Sequence, residues 1–178
     1  MSSKNRDGDI PEPDPLSPAE FDAWRGMLRL HATVTRELER RLLAECGMSL
    51  PVYGVLVTLV GAPDRRLRMS ELAERRLTHP SGVTRLVDQL SRDGLVEREV
   101  DPSDGRSFYA VLTRLGLRRL REAQRTHHAV ARELYLGRLS EREAAQLARL
   151  FEKALPGVVS EAVWPPAASP PGGGEAQR

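Results

Sequence analysis

Apolar residues recur at intervals of three and four along most of the chain, the spacing of helices with one buried face. The first stripe follows Ser17-Pro18-Ala19-Glu20, a capping box with proline at the first helical position, and it predicts one long helix ending near Glu45. Its members are Phe21, Trp24, Leu28, His31, Val34, Leu38 and Leu42. A second helix is predicted from Ser49 to Gly61, after a break at Gly47.

Two further helices are predicted towards the end of the chain. Thr113 is expected to cap the first, and Ser140-Glu141-Arg142-Glu143 is another capping box that starts the second. Their apolar stripes are Leu115, Leu117, Leu120, Ala123, Val130, Leu134 and Leu136, and then Leu147, Leu150, Phe151 and Leu155. One chain of this size covers such stripes only in part, so we expect packing against a second copy.

A short helix, a tight turn and another helix are predicted between these long helices. Ser70 is expected to cap the helix of SELAERR, and Thr78 the following one, which has Pro80 in its first turn and Gly94 after its end. The apolar face of that following helix is formed by Val83, Leu86, Val87 and Leu90, while its polar residues are Ser81, Thr84, Arg85, Gln89 and Arg92. The polar face is therefore available for a partner.

The next segment predicts a β-hairpin. LVEREV and SFYAVLT are rich in β-branched and aromatic residues, and DPSDGR between them supplies turn formers. Arg65 to Met69 should add a short strand to the same sheet. Helix, turn, helix and hairpin together predict a winged helix-turn-helix, whose second helix fits the DNA major groove while the hairpin suits the backbone or the minor groove.

These residues resemble the MarR-type transcriptional regulators. The resemblance rests on RMSELAERR, SGVTRLVDQLSRDGLVERE and DPSDGRSFYAVLTRLG; it extends in organisation from Ser17 to Leu155 and is specific from Leu50 to Gly116. It implies an obligate homodimer that binds a pseudo-palindromic operator, commonly released by a small phenolic or lipophilic ligand or by thiol oxidation. The wing departs from the family pattern, because Asp101-Pro102-Ser103 precedes Asp104 where the family often has a second arginine.

The candidate DNA-binding residues lie on the polar helix face and on the hairpin. Arg85, which can pair with guanine or hold a phosphate, and Gln89, which prefers adenine, are the expected readers. Arg106 at the hairpin tip is expected to reach DNA, and a salt bridge to Asp104 or Asp101 is the alternative. The whole set is Ser70, Ser81, Gly82, Thr84, Arg85, Gln89, Arg106 and Ser107.

A ligand pocket and a redox sensor are further hypotheses. His31 is a candidate to line a pocket for a small aromatic or lipophilic effector with Trp24 and Tyr53, and core or dimer packing explains the same residues. Cys46 is either an oxidant sensor or a small buried hydrophobe, and the second interpretation is favoured because the chain has no other cysteine to resolve an oxidised thiol.

No catalytic or metal-binding motif is present in the sequence. A glycine-rich phosphate loop, an HExxH motif and a nucleophile elbow are all absent. His127 and His128 are adjacent and point about 100° apart on a helix, so zinc would need ligands from elsewhere. We therefore expect no cofactor, no metal and no enzymatic activity.

Composition places the chain among globular proteins and says little about its partner. Its 178 residues and 40% hydrophobic content predict one domain with a sizeable core. The chain has no apolar run of membrane-spanning length, no secretion signal and one cysteine, which predict a cytoplasmic protein. The net charge is +2, and the segment from Arg65 to Arg106 contains nine arginines and eight acidic residues. Charge alone therefore does not identify the DNA-binding segment.

The predicted fold is mainly α, with long terminal dimerisation helices and a small antiparallel wing sheet. Residues 17–46 and 114–155 form the dimerisation region, residues 49–113 the winged helix-turn-helix, and residues 1–16 and 156–178 disordered tails. The predicted function is a homodimeric operator-binding regulator, in the first place a repressor. The alternatives are a sensor that binds another protein through the winged fold, and an enzyme, for which no titratable groups converge in the sequence.

Overall fold

The computed structural model describes residues 14–76 and 79–159. They belong to two units, one ending at Thr33 and one beginning at Val34. The first unit contains the start of helix α1 (Pro18–Cys46), where the predicted capping box is present. The amide of Ser17 donates to the carboxylate of Glu20 at 2.8 Å, and the amide of Glu20 donates to the hydroxyl of Ser17 at 3.3 Å. Most of the disordered tails predicted from the sequence lie outside the described residues.

The second unit contains the rest of α1 and the remaining elements in the predicted order. These are α2 (Leu50–Val60), β1 (Arg66–Arg68), α3 (Met69–Arg75), α4 (Pro80–Arg92), β2 (Val96–Asp101), β3 (Asp104–Leu112), α5 (Arg114–Leu134) and α6 (Glu141–Ala154). Short 3-10 turns at Pro63–Arg65 and Leu136–Arg138 precede β1 and follow α5. The predicted fold class, mainly helical with a small antiparallel sheet, is confirmed.

Most of the helix ends predicted from the sequence are confirmed. The hydroxyl of Ser49 accepts from the amide of Val52 at the start of α2, and the hydroxyl of Thr113 accepts from the amide of Gly116 at the start of α5. Gly94 adopts a φ of 69° after α4, a left-handed conformation that favours glycine.

Two predicted caps are wrong. Helix α3 already begins at Met69, because the carboxylate of Glu71 accepts from the amide of Arg68 at 3.2 Å, so Ser70 is its second residue. Helix α4 is capped by His79, whose Nδ1 accepts from the amide of Ser81 at 3.3 Å. Thr78, the cap expected from the sequence, lies outside the described residues.

The three strands form one antiparallel sheet with β3 in the centre, between β1 and β2. The hairpin strands extend further than the sequence predicted, because Asp101 still pairs with Asp104 after a shift of register that follows Val100. Only Pro102 and Ser103 connect the strands, so most of the predicted DPSDGR turn is strand. Asp101 stabilises this short loop by accepting from the amide of Ser103 at 2.9 Å and from its hydroxyl at 2.7 Å.

The core is built around α2, which is buried from Val52 to Leu59. The apolar face of α4 packs in the same cluster, with Val83, Val87 and Leu90 buried and Leu86 half-buried. Further members come from α3, the sheet and α5: Leu72, Val96, Ala110 and Leu120. Because the apolar face of α4 is held in this core, its polar face has to point away from it.

A stacked pair joins α2 to α5 inside this unit. The rings of Tyr53 and His127 have centroids 4.8 Å apart and planes inclined by 12°. The hydroxyl of Tyr53 is buried without a hydrogen-bond partner among the described residues. Burial, together with the nearby His128, lowers the pKa of His127 to about 4. The folded protein therefore holds His127 as a neutral ring at neutral pH.

The start of α5 is fixed to the end of α4 through a close backbone approach. A side chain on Gly116 would overlap the carbonyl oxygen of Leu95. Thr113 completes the junction, because its hydroxyl donates to the carbonyl of Gly94 at 2.8 Å and its amide donates to the carbonyl of Leu95 at 3.2 Å. Among the described residues no single helix is both long and apolar enough to cross a membrane; α1 and α2 pass that test only as a pair bent by 87°.

Replacing Gly116 by alanine should destabilise the protein by about 1–3 kcal/mol, because the added methyl group has to displace backbone rather than a mobile side chain. The matched control is Gly26→Ala in α1, where nothing lies within 4 Å of the added atom. Alanine favours a helix over glycine by about 0.5–1 kcal/mol, so this control should be neutral or stabilising. Urea unfolding measures both, and equal stabilities of the two variants would contradict the close approach.

The buried stacked pair predicts a pH dependence of stability. An unfolded histidine titrates near 6.5 whereas folded His127 titrates at about 4, so the unfolded state binds the proton first as the pH falls. The free energy of unfolding should therefore decrease from about pH 6.5 towards pH 4. His127→Phe keeps an aromatic ring and should flatten this decrease, whereas His31→Gln on the exposed face of α1 should retain it. Urea unfolding series across this range check the expectation, which fails if His127→Phe follows the wild-type slope.

Candidate nucleic-acid interface

The exposed face of α4 carries most of the candidate residues predicted from the sequence. Ser81, Arg85 and Gln89 are four residues apart and therefore lie on one face of the helix, and all three are exposed. Gly82 is exposed beside them, and Thr84 is half-buried on the neighbouring flank. The structure thus brings these five candidates together on the side opposite the buried valines.

Charge on α4 favours an anionic partner. Arg85 has no acidic side chain within 4.0 Å among the described residues, so its charge is not neutralised there. Asp88 is the acidic residue within the helix, and its carboxylate accepts from Arg98 of β2 at 2.6 Å. The exposed face therefore presents a cation while the nearby carboxylate is already paired.

The same Arg98 ties α4 to the wing. Its guanidinium lies over the ring of Phe108 in β3 at 4.6 Å from the ring centroid while it binds Asp88. One side chain therefore contacts the helix and both strands of the hairpin. Sequence reasoning missed this role, because ten residues separate Arg98 from Asp88 and no local spacing relates them.

The start of α4 is held by His79, another residue that sequence reasoning missed. Its Nδ1 lies 2.8 Å from the hydroxyl of Ser81 and also accepts from the Ser81 amide. Ser81 is therefore oriented by the cap at the helix end where a recognition helix contacts base edges. The signal available in the sequence was the histidine directly before Pro80, since proline favours the first helical position.

A polar network fixes the wing beside its turn. Asp101 is only 2% exposed, and Arg68 of β1 lies 2.7 Å from its carboxylate. Hydrogen bonds from Ser103, and then the charge of Arg68, lower the pKa of Asp101 below its ordinary value. Arg68 also donates to the hydroxyl of Tyr109 at 3.1 Å, and Arg66 lies over the same ring at 4.0 Å. These contacts attach both strands of the wing to β1.

The remaining candidates lie on the wing and on α3. The backbone of Arg106 is part of β3, and its side chain lies outside what the structure describes. Of its two alternative partners, Asp101 is engaged by Ser103 and Arg68, and Asp104 accepts from the hydroxyl of Ser107 at 2.7 Å. Ser107 is half-buried, and Ser70 is exposed in the first turn of α3.

The residues predicted to line a ligand pocket lie on two helices. Trp24 and His31 are exposed on α1 in the first unit, whereas Tyr53 is buried on α2 in the second. Cys46 is half-buried, with its Sγ 3.7 Å from the hydroxyl oxygen of Thr126. In the described part of the chain no three His, Cys, Asp or Glu side chains are grouped so that they could hold a metal ion.

Two of the cavities in the second unit lie beside the helices described above. One, of about 370 Å³, lies beside α5 and is lined by His127, His128, Ala131, Arg132 and Leu136. The other, of about 520 Å³, lies between α2 and α4 and is lined by Pro51, Val55, Arg76, Gly82, Val83, Arg85, Leu86 and Gln89. The second cavity therefore opens beside the exposed face of α4.

Comparison with known proteins agrees with this geometry. The model of the MarR family matches residues 47–107. The transcriptional repressor IacR of Pseudomonas putida is 27% identical over 71% of this chain and 73% of its own length. The structure of CouR from Rhodococcus jostii, bound to p-coumaroyl-CoA, is 25% identical, with a TM-score of 0.66 over 78% of this chain and 95% of that one.

The structure of Sco3205 from Streptomyces coelicolor, a MarR family regulator in complex with DNA, is 32% identical to this chain. The likeness covers 86% of this chain and 98% of that one, with a TM-score of 0.72. Identity of this degree over nearly the whole of a solved relative extends beyond the winged segment to the terminal helices. The chain belongs to the MarR family of winged helix-turn-helix transcriptional regulators.

Proposed function

We propose that this protein is a transcriptional repressor that binds a pseudo-palindromic DNA operator as a homodimer and is controlled by a small molecule. The observation that carries the proposal is the exposed face of α4. Arg85 and Gln89 lie on it, and the carboxylate of Asp88 in the same helix is already paired with Arg98 of the wing. Sco3205, which shares this fold, was solved with DNA, and IacR is a repressor; both support the assignment.

Helix α4 is the element that enters the major groove in this proposal. Arg85 contacts guanine or a phosphate, Gln89 contacts adenine, and Ser81, Gly82 and Thr84 lie along the same stretch of helix. Arg106 and Ser107 bring the wing to the backbone or the minor groove, and the exposed Ser70 adds a phosphate contact from α3. The Arg98 contact holds α4 and the wing in one orientation, so both bind the duplex without an ordering step.

The homodimer is supported by apolar side chains that the single chain leaves exposed. In the first unit they are Phe21, Trp24, Met27 and Leu28, between 43% and 53% exposed. In the second unit α6 is amphipathic and buries none of its residues, with Leu150, Phe151 and Leu155 exposed. Residues 17–46 and 114–155 are thus the proposed dimerisation region, and residues 49–113 are the proposed DNA-binding region. A twofold axis would place two copies of α4 about 34 Å apart, one turn of DNA.

A small molecule is the proposed regulator of operator binding. CouR has the same fold and was solved with an aromatic acyl-CoA, which supports an organic effector for this chain. In the proposed dimer such an effector acts by changing the spacing or the availability of the two α4 helices, and a coupling of about 1–3 kcal/mol changes operator occupancy 5- to 150-fold. The proposed site of action is cytoplasmic DNA, and we propose no enzymatic activity.

DNA binding is tested with a duplex selected from a random pool by the purified full chain. Arg85→Ala should weaken binding to that duplex by about 1–3 kcal/mol, and Arg106→Ala should also weaken it, without a large change in melting temperature. Arg142→Ala removes the same charge from the exposed start of α6 and is the matched control. Fluorescence anisotropy at several salt concentrations should give log affinity falling linearly with log salt.

Two results would overturn the assignment. One is equal affinity of Arg85→Ala and Arg142→Ala for the selected duplex. The other is failure of the pool to enrich any duplex while the chain forms a stable complex with a protein, which would favour the interaction-module alternative.

The dimer is tested by sedimentation velocity. Phe151→Glu puts a charge on the exposed apolar face of α6 and should convert the dimer to monomer at micromolar concentration, because burying an unpaired carboxylate is strongly unfavourable. Glu141→Gln at the exposed start of the same helix should remain dimeric. A wild-type chain that sediments as a monomer would refute the proposed assembly.

A further inference from the structure

Helix α5 carries a row of arginines along one face. The helix contains six arginines and two glutamates. Residues three, four or seven positions apart lie above one another on a helix, because 3.6 residues make one turn. Five of the arginines follow this spacing, and all five are exposed: Arg114, Arg118, Arg121, Arg125 and Arg132. These five residues are called the arginine row below.

The charge of the arginine row is not neutralised by the fold. Among the described residues, no acidic side chain lies within 4.0 Å of any member of the row. Both glutamates of α5 are engaged elsewhere, because Glu122 pairs with Arg119 at 3.1 Å and Glu133 pairs with Arg41 of α1 at 2.8 Å. The row therefore presents five uncompensated positive charges.

The arginine row lies opposite the buried face of α5. Ala123 and Val130 are completely buried. Arg125 and Arg132 each follow one of these residues by two positions, which is about 200° around the helix. The packing of α5 on the core thus directs the row to solvent.

The arginine row does not suit the proposed dimer contact. The apolar side chains that support this contact lie on α1 and α6. Facing two copies of the row towards each other would bring ten arginines together without a carboxylate, which is unfavourable because like charges repel. The dimer contact of residues 114–155 is therefore expected to use other faces of this region.

The density of charge on the arginine row determines which partner fits. The helix rises about 27 Å from Arg114 to Arg132, so the row offers one positive charge in about 5 Å. Duplex DNA carries one negative charge in about 1.7 Å of its axis, so phosphates are available along the whole row. A protein interface has an apolar core and a helix on a membrane has an apolar face, whereas the row has no apolar member. Duplex DNA is therefore the partner that matches it.

The position of the arginine row separates it from the groove proposed for α4. A recognition helix contacts base edges with its first residues, and the row begins at the other end of α4, where Thr113 donates to the carbonyl of Gly94 at 2.8 Å. Helix α4 has 13 residues and is about 20 Å long, whereas the major groove is about 8.5 Å deep. The row therefore begins outside the groove that α4 enters.

We propose that the arginine row binds the phosphate backbone of a second stretch of duplex DNA, whatever its sequence, while α4 occupies the operator. Guanidinium groups suit this contact because they bind phosphate oxygens through two parallel hydrogen bonds. The second stretch is either DNA that flanks the operator or a separate duplex, and both present the same phosphates. Simultaneous binding of the operator rests on the proposed function, whereas binding of the row to phosphates does not.

The arginine row is tested on the full chain with a long duplex of unrelated sequence, so the measurement needs no operator. Replacing Arg118, Arg121 and Arg125 together by glutamine should reduce the slope of log affinity against log salt by about 3, because each phosphate contact contributes about 0.9. Fluorescence anisotropy across a series of salt concentrations measures the slope.

The matched control replaces three arginines that are exposed on other helices, namely Arg36, Arg142 and Arg149, by glutamine. It removes the same net charge and should leave the slope unchanged. Melting temperatures and sedimentation velocity check that both triple variants keep the fold and the assembly of the wild type.

Three results of these measurements would overturn the proposal. One is an equal slope for the two triple variants. Another is a change of oligomeric state in the row variant with the slope unchanged, which would place the row in the dimer contact. The third is polyglutamate displacing the duplex as effectively as unlabelled duplex of the same total charge, which would make an acidic protein the partner.

The source of the second stretch is determined with the selected operator duplex. A gain in affinity on lengthening its flanks, lost in the row variant, identifies flanking DNA. Capture of a labelled unrelated duplex by chain already saturated with the selected duplex, again lost in the row variant, identifies a separate duplex. Either result supports the proposal, and the absence of both refutes it. If the pool enriches no operator, the proposed function fails while the salt slope still decides whether the row binds DNA.

Discussion

The burial of one face of α4 in the core shared with α2, α3 and β2 is the contact on which the rest of this structure depends. Val83, Val87 and Leu90 are almost fully buried, so their removal from water fixes the rotation of the helix about its own axis. Once that rotation is fixed, Arg85 and Gln89 have to face outwards. The chemistry of the interface is therefore set by hydrophobic residues that never touch a partner, because a helix with two distinct faces cannot bury one without presenting the other.

The polar contacts refine this arrangement rather than create it. Arg98 bridges Asp88 and Phe108, and Arg68 bridges Asp101 and Tyr109, so each arginine joins two other elements. Isolated surface ion pairs contribute little to stability. Here their value is geometric, because Arg98 holds α4 beside the hairpin and Arg68 holds β1 against both hairpin strands.

Sequence patterns predicted the elements well because the chain's local signals agree with its packing. Stripes of apolar residues, the capping box at Ser17 and glycine at position 94 each mark a boundary that the structure contains. The wrong predictions arose where a tertiary or backbone contact displaced the local signal. Glu71 caps α3 at Arg68, two residues before Ser70, and the hydrogen bonds that Asp101 accepts from Ser103 shorten the turn that proline and glycine had suggested.

The candidate site was predictable only in part, for a related reason. Helical periodicity placed Ser81, Arg85 and Gln89 on one face, but no spacing in the chain indicates that Arg98 reaches Asp88 or that Arg76 enters a cavity beside Gly54. These contacts depend on how elements cross in space. Tyr53, predicted from its sequence position as a pocket residue, is buried in the core against the ring of His127.

The junction of α4 with α5 has a mechanical meaning. The amide of Thr113 donates to the carbonyl of Leu95, and the backbone at Gly116 lies so close to that carbonyl that no side chain fits between them. This junction therefore has little freedom to bend locally. A rotation of α5 would therefore rotate α4 with it, and the displacement would be greatest at the end of α4 farthest from the junction.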